Sequence, residues 1–187
     1  MKNLSSFTPF FVLIFLVSVV AFSTYKISKK QEVAQGQIAE TFDARFAKEK
    51  IILPEFSLPD LFDENGTFSK KDLSRKYSLI NLFASWCTTC RAEHSILMRL
   101  KANNKIDIYG VAWRDINQNT KAYLATSGNP FKKVAADTQA LFTIFIGIKA
   151  VPETLLIDPD GNIVLRYSGN LEEYAAQEIE EFVQRQN

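Results

Sequence analysis

Cysteine and histidine are scarce in this chain of 187 residues. It holds two cysteines, Cys87 and Cys90, and one histidine, His94. Two cysteines cannot staple a disulfide-built scaffold, so the fold must stand on its core. A metal centre wants roughly four ligands, which this supply does not favour. Excess charge is missing too. Twenty-two basic and 21 acidic side chains leave a formal net charge of +1. No basic run is interleaved with aromatics, which argues against a nucleic-acid surface. No internal repeat or low-complexity tract interrupts the chain. A hydrophobic fraction of 47% is enough for a real core and argues against disorder. The length suits one domain with appendages.

The two cysteines stand three apart, in Trp86-Cys87-Thr88-Thr89-Cys90, after the apolar run Leu79-Ile80-Asn81-Leu82-Phe83-Ala84. A strand that runs into Trp-Cys-x-x-Cys and then a helix puts the first sulfur at the helix N-terminus. The partial positive charge there favours thiolate over thiol. The second sulfur follows about one turn later, close enough for a disulfide. Such a pair exchanges electrons with other disulfides. A purely structural staple is the weaker reading, since closing so short a loop constrains the unfolded chain little. His94 falls four residues after Cys90, on the same helix face. It either tunes the sulfurs or packs beside them.

The second strong signal is N-terminal. No charge stands between Lys2 and Lys26, and Phe7 to Phe22 is almost wholly apolar. Such a stretch can span a bilayer as a helix. The competing reading is a cleaved signal peptide, with small residues at Val19-Val20-Ala21 and Ala21-Phe22-Ser23. The run is long for a signal peptide, so residues 1–26 are expected to be an uncleaved transmembrane anchor. Lys26, Lys29 and Lys30 after the span slightly favour a cytoplasmic C-terminal domain by charge alone.

Residues 27–50 read as a linker, partly helical, because Ala34, Ile38, Phe42 and Phe46 recur every four residues. Residues 51–187 read as one α/β domain. Pro54–Pro59 suggests a short edge strand and Thr67–Ser69 its hairpin partner. Strands are expected at Ser78–Ala84, Ile106–Trp113 and Phe131–Ala135. The helices expected among them are Thr88–Asn103, Asn119–Ser127 and Thr138–Ile146. Asp158-Pro159-Asp160-Gly161 joins strands Glu153–Ile157 and Asn162–Tyr167 in a hairpin. A last helix is expected to start at Asn170, with Glu173 completing a capping box, and to run to about Gln186.

With Trp86-Cys87-Thr88-Thr89-Cys90-Arg91-Ala92-Glu93-His94, Gly128-Asn129-Pro130-Phe131 and Val151-Pro152-Glu153-Thr154-Leu155-Leu156-Ile157-Asp158, the chain resembles the thioredoxin superfamily. More narrowly, it resembles the membrane-tethered thiol:disulfide interchange proteins of cytochrome c maturation (the CcmG/DsbE type). The Cys-x-x-Cys alone is only superfamily-specific; the Arg-Ala-Glu-His continuation and Pro-Glu-Thr are narrower. The resemblance implies a three-layer thioredoxin-like α/β fold with a central mixed sheet, preceded by the transmembrane helix. It implies a disulfide reductase with Cys87 as exposed nucleophile and Cys90 as the more buried resolving thiol. Read from its place one turn after Cys90, Glu93 is the candidate proton acceptor for Cys90, or else an exposed helix-surface acid paired with Arg or Lys. Pro152, after a cis peptide, faces the cysteines and presents the backbone of Val151. Trp86, Val151 and Glu153 contact the partner.

The implied partners are apocytochrome c or its maturation proteins, with a membrane thiol reductase as electron donor. No cofactor beyond the Cys87–Cys90 disulfide is expected. The domain is expected in the periplasm, held to the inner membrane by a single span. A tethered reductant is useful where thiols are oxidised, and this overrides the charge bias. A general periplasmic thiol reductase and a non-redox adaptor stand as alternatives. Three departures from the family pattern stand out: Thr88 replaces the usual proline, Ala150 a common glycine, and Asn81 the buried aspartate of thioredoxin.

Overall fold

The computed structural model describes residues 14–30, 46–73 and 75–186. The chain divides into two compact units, Met1–Asp43 and Ala44–Asn187. In the first, residues 14–30 form a helix, α1, whose side chains are exposed. The rest of the expected span, residues 1–13, and linker residues 31–45 lie outside the described residues. Among the described residues no helix is long and apolar enough to cross a membrane.

The second unit is built on one sheet of six strands, ordered β1-β8-β7-β4-β5-β6. Its strands are β1 (Phe46–Ile52), β4 (Ser78–Phe83), β5 (Asp107–Trp113), β6 (Val134–Asp137), β7 (Glu153–Ile157) and β8 (Asn162–Ser168). β4, β5 and β6 run parallel, while β7, β8 and β1 add on antiparallel. A separate pair, β2 (Ser57–Pro59) and β3 (Thr67–Ser69), makes the small hairpin expected from the prolines and the Asn65-Gly66 turn.

All six residues of β4 are buried. That is why the strand reads as a continuous apolar run: strands flank it on both edges and packed layers cover both faces. Ile80 and Leu82 join Phe68, Tyr109, Val111, Phe142 and Leu155 in one core. Burying each such aliphatic side chain contributes about 2 kcal/mol. Asn81 and Phe83 point the other way, toward α2 (Thr88–Asn103) and α3 (Asn117–Ser127): Asn81 bonds Glu93 of α2, and the Phe83 ring meets Tyr123 of α3. Arg99 of α2 pairs with Glu173 and Glu180 of α5 (Glu173–Gln186), so α5 shares that layer. Short α4 (Leu141–Phe145) follows β6 and lends Phe142 to the opposite core.

Three expectations are corrected. Phe46–Lys50 belong to β1, an edge strand, and not to a helical linker. Its charged residues Lys48, Glu49 and Lys50 suit a sheet edge but hide the two-residue alternation that marks a strand. The helix expected over Thr138–Ile146 shrinks to α4, because Asp137 turns the chain first. Its carbonyl accepts from Ala140, which sits in the left-handed region, and its carboxylate accepts from Phe142 and Thr143. The capping box at Asn170 does not form. α5 starts at Glu173, the side-chain oxygen of Asn170 has no partner, and the Leu171 amide bonds Glu93 instead.

Candidate active site

The parallel strands β4, β5 and β6 open their C-terminal ends on one side of the sheet, where α/β sites gather. β4 hands over to α2 through Ala84-Ser85-Trp86-Cys87. The Cys87 amide turns back to the Ala84 carbonyl at 3.1 Å, and Cys87 caps α2 with extended backbone angles. Its sulfur accepts from the Cys90 amide at 3.1 Å. Cys87 and Cys90 form a disulfide, with Cα atoms 5.3 Å apart. The amide aimed at Cys87 and the helix terminus behind it both favour a thiolate once the bond is reduced.

The expected contrast in exposure is nearly absent in the oxidised state: Cys87 is 6% and Cys90 3% exposed. In the disulfide the Cys87 sulfur lies 3.8 Å from the Val151 carbonyl. The Val151–Pro152 peptide is cis, as the resemblance implied, and the Pro152 carbonyl accepts from Gly169. Trp86 is exposed, and its indole N–H donates to the Arg114 carbonyl at 3.3 Å.

The approach to Cys87 is held by residues that sequence reasoning missed. Asp115, at the end of β5, is buried. One carboxylate oxygen accepts from the Ser85 amide (2.5 Å) and Thr120 hydroxyl (2.9 Å), the other from the Ser85 hydroxyl (2.9 Å) and Ile116 amide (2.8 Å). Arg91 grips the Ser85 carbonyl through Nε (3.1 Å) and a terminal nitrogen (2.7 Å). The only sequence hint of Asp115 was an acid just before a helix that carries threonine one turn in. Beside Trp86 opens a cleft of about 500 Å³, lined by Ser85, Trp86, Arg91, Asn119, Tyr123 and Ser127.

Glu93, one turn beyond Cys90, is fully buried. It accepts from Asn81 at 2.8 Å and from the Leu171 amide at 2.6 Å. Burial pushes its carboxyl up to about 7, although the two donors pull the other way. Asn81, in the place of the thioredoxin aspartate, thus sits directly against an acid that can hold or release a proton near neutrality. Its amide also reaches the Thr154 hydroxyl at 3.1 Å.

The packing reading of His94 describes its surroundings. Nε2 faces the Ser127 and Gly128 carbonyls, each at 3.1 Å, so it must donate. Nδ1 then accepts from the Tyr123 hydroxyl at 2.8 Å. The ring ties α2 to the end of α3. Glu153 was expected to face the site and contact a partner; it is buried and ion-paired with Arg166 of β8. Arg166 also donates to the Gly147 carbonyl at 2.9 Å, so the pair braces the segment that leads to Val151. Among the described residues no cluster of acids, cysteines and histidine could hold a metal ion.

Residues 47–182 match the Redoxin family. The chain belongs to that family. Within it, the chain is 36% identical over 133 residues to the thiol:disulfide interchange protein DsbE of Allochromatium vinosum, covering 71% of this chain and 74% of that one. It is 36% identical over 121 residues to DsbE of Escherichia coli K12, covering 64% of each. A thiol:disulfide interchange protein of the thioredoxin family from Chlorobium tepidum has a similar structure (TM-score 0.60, 25% identity, 72% of this chain and 97% of that one). A thio-disulfide isomerase from Thermus thermophilus shares the fold (TM-score 0.60, 22% identity, 73% and 97% covered). This redoxin is therefore a thiol:disulfide oxidoreductase of the DsbE type with a thioredoxin-like fold, and Cys87 and Cys90 form its Cys-x-x-Cys disulfide.

Proposed function

We propose that this redoxin is an extracytoplasmic reductant in cytochrome c assembly. It would reduce the disulfide of apocytochrome c, or of a protein that hands haem to it. The reading rests on one observation above the others: a disulfide at a helix N-terminus, opposite a cis-proline, in a chain whose relatives are DsbE proteins.

In the proposed cycle the Cys87 thiolate attacks one sulfur of the partner disulfide. A mixed disulfide forms, and the partner's other sulfur leaves as thiolate and takes a proton. Cys90 gives its proton to Glu93, and its thiolate attacks the Cys87 sulfur. The intramolecular disulfide forms and the second partner thiol departs. Two electrons have passed to the partner, and a dithiol of a membrane reductase restores them. Pro152 and the Val151 backbone line the approach, and Trp86 gives the partner a flat apolar contact. Glu153 acts through Arg166, by holding that approach in place.

Residues 1–26 serve as the anchor that keeps the domain at the inner membrane, facing the periplasm. Support for the anchor comes from helix α1, whose Phe15, Leu16, Val17, Val20 and Phe22 are all exposed; the periplasmic side rests on the likeness to DsbE proteins, against the weak charge bias of Lys26, Lys29 and Lys30. The test is complementation of a strain lacking its own protein of this type, read as haem-stained c-type cytochromes. The Cys87→Ser variant should abolish them. Retained assembly would favour an adaptor without redox chemistry. Rescue by an unrelated periplasmic thiol reductase would favour a general reductase. Carbonate-washed membranes should keep the full chain and lose a chain without residues 1–26.

A further inference from the structure

The outward face of α4 is apolar. Leu141 is 67%, Ile144 58% and Phe145 73% exposed, one residue and then its neighbours three and four on, while Phe142 and Thr143 between them are buried. Water covers three large apolar side chains on a five-residue helix, and such patches mark contact sites.

The sheet register sets where this face lies. Phe83 pairs with Ala112, and Ala112 with Ala136. Ala136 is thus two strand spacings, about 10 Å, from the end of β4. Asp137 follows it and holds the first amides of α4. Beyond α4 the chain runs on to Val151, whose carbonyl lies 3.8 Å from the Cys87 sulfur. Both ends of α4 are therefore fastened to the disulfide's end of the sheet. Trp86 (56%) and Ile116 (66%) are exposed at that same end.

A protein partner covers about 800 Å² per side, a disc of about 16 Å radius. A partner of that radius centred on Cys87 extends over the end of the sheet from which α4 starts. Of the exposed charges in the loops at that end, Arg114 and Lys149 are basic and Glu172, in the loop that Gly169 ties to Pro152, is acidic, while Asp115 is buried. A lipid surface on this face would shut the disulfide away from every partner.

We propose that Leu141, Ile144 and Phe145 of α4 form a docking surface for the protein whose disulfide Cys87 exchanges, and that this partner carries an apolar, acid-flanked segment beside its cysteines. The inference rests on the reductant reading and deepens it.

The test uses two synthetic peptides with the same intramolecular disulfide, one flanked by Leu, Phe and Glu, the other by Ser, Gly and Lys. Reduced full-length protein should reduce the first about tenfold faster. The Ile144→Ser/Phe145→Ser variant, and Leu141→Ser to a lesser degree, should cut that advantage by about fivefold or more, with the rate on oxidised glutathione within about twofold of wild type. Equal rates on the two peptides would overturn the proposal. So would a preference that survives in both variants, or a parallel loss on glutathione. Binding to phosphatidylglycerol vesicles that these variants abolish, with the peptide preference intact, would make the face a membrane contact instead. A wild-type protein that reduces neither peptide nor glutathione would fell the reductant reading itself, and docking with it.

Discussion

Asn81 of β4 and Glu93 of α2 meet at 2.8 Å beneath the redox pair, amide to carboxyl. An amide suits both charge states of this acid. Ionised Glu93 accepts from the amide nitrogen, as observed. Protonated Glu93 can donate to the amide oxygen, which otherwise has no partner, after the amide turns over. Thr154 accepts or donates to match. The pair can therefore take up the proton, although the turnover moves the amide NH₂ to the side where its oxygen now finds no partner.

The first prediction follows from the sign of the Glu93 shift. Its carboxyl is raised in the fold to about 7 from an ordinary 4.5. Protonated Glu93 thus stabilises the fold fully below about pH 4.5, and this contribution is lost as pH rises through 7. Between pH 5 and pH 8 the wild type should lose about 2 to 3 kcal/mol that Glu93→Gln keeps, measured by urea unfolding. Asn81→Ala removes a donor to the ionised form, so the midpoint of the wild-type pH dependence should move upward. A Glu93→Gln protein with the wild-type slope would remove Glu93 as the titrating group.

Asp115 supplies the second. Each of its oxygens accepts one backbone amide and one hydroxyl. An asparagine cannot copy this, because its NH₂ must face a backbone N–H whichever way it turns. Asp115→Ala should cost about 2 to 4 kcal/mol, and Asp115→Asn nearly as much. Thr120→Val, which loses one hydroxyl contact, should cost only about 1 kcal/mol. Urea midpoints of the three variants give the comparison, and a tolerated asparagine would contradict the arrangement.

A third concerns Glu153 and Arg166. Removing Arg166 leaves a buried carboxylate without its partner, so Arg166→Met should destabilise by about 3 kcal/mol. The double variant Arg166→Met/Glu153→Leu removes both charges and should recover much of that loss. Equal unfolding midpoints for single and double variants would show that the charge pair is not what braces this corner.

The redox pair and the elements around it were legible because their signals are local. Cys-x-x-Cys after a buried strand predicts a sulfur-capped helix, and α2 spans the expected Thr88–Asn103. β7 likewise keeps its expected ends, since a proline opens it and Asp158 begins the turn that closes it. What stayed hidden depends on tertiary partners. Asp115 reads as a loop acid until Ser85, 30 residues earlier, is placed against it. Glu153 reads as an acid facing the site until Arg166 arrives from the next strand. Asn170 reads as a helix cap until Glu93 claims the neighbouring amide. β1 was missed because an edge strand needs no apolar face, and Phe42 and Phe46 suggested a helical repeat.

The last prediction separates the two sulfurs. In the oxidised fold both cysteines are buried, so their exposure does not rank them. Position does. Cys87 caps α2 and faces the Cys90 amide at 3.1 Å, whereas Cys90 lies within the first turn, where its own amide is committed to Cys87. Amide and helix dipole thus converge on Cys87 and, once the bond is reduced, favour attack by its sulfur over that of Cys90. In the reduced protein at pH 6, iodoacetamide should modify Cys87 at least about tenfold faster than Cys90, as read by peptide mass mapping. Cys90→Ser should accumulate a mixed disulfide with oxidised glutathione, while Cys87→Ser should form little. Faster labelling of Cys90 would reverse the assigned order of attack.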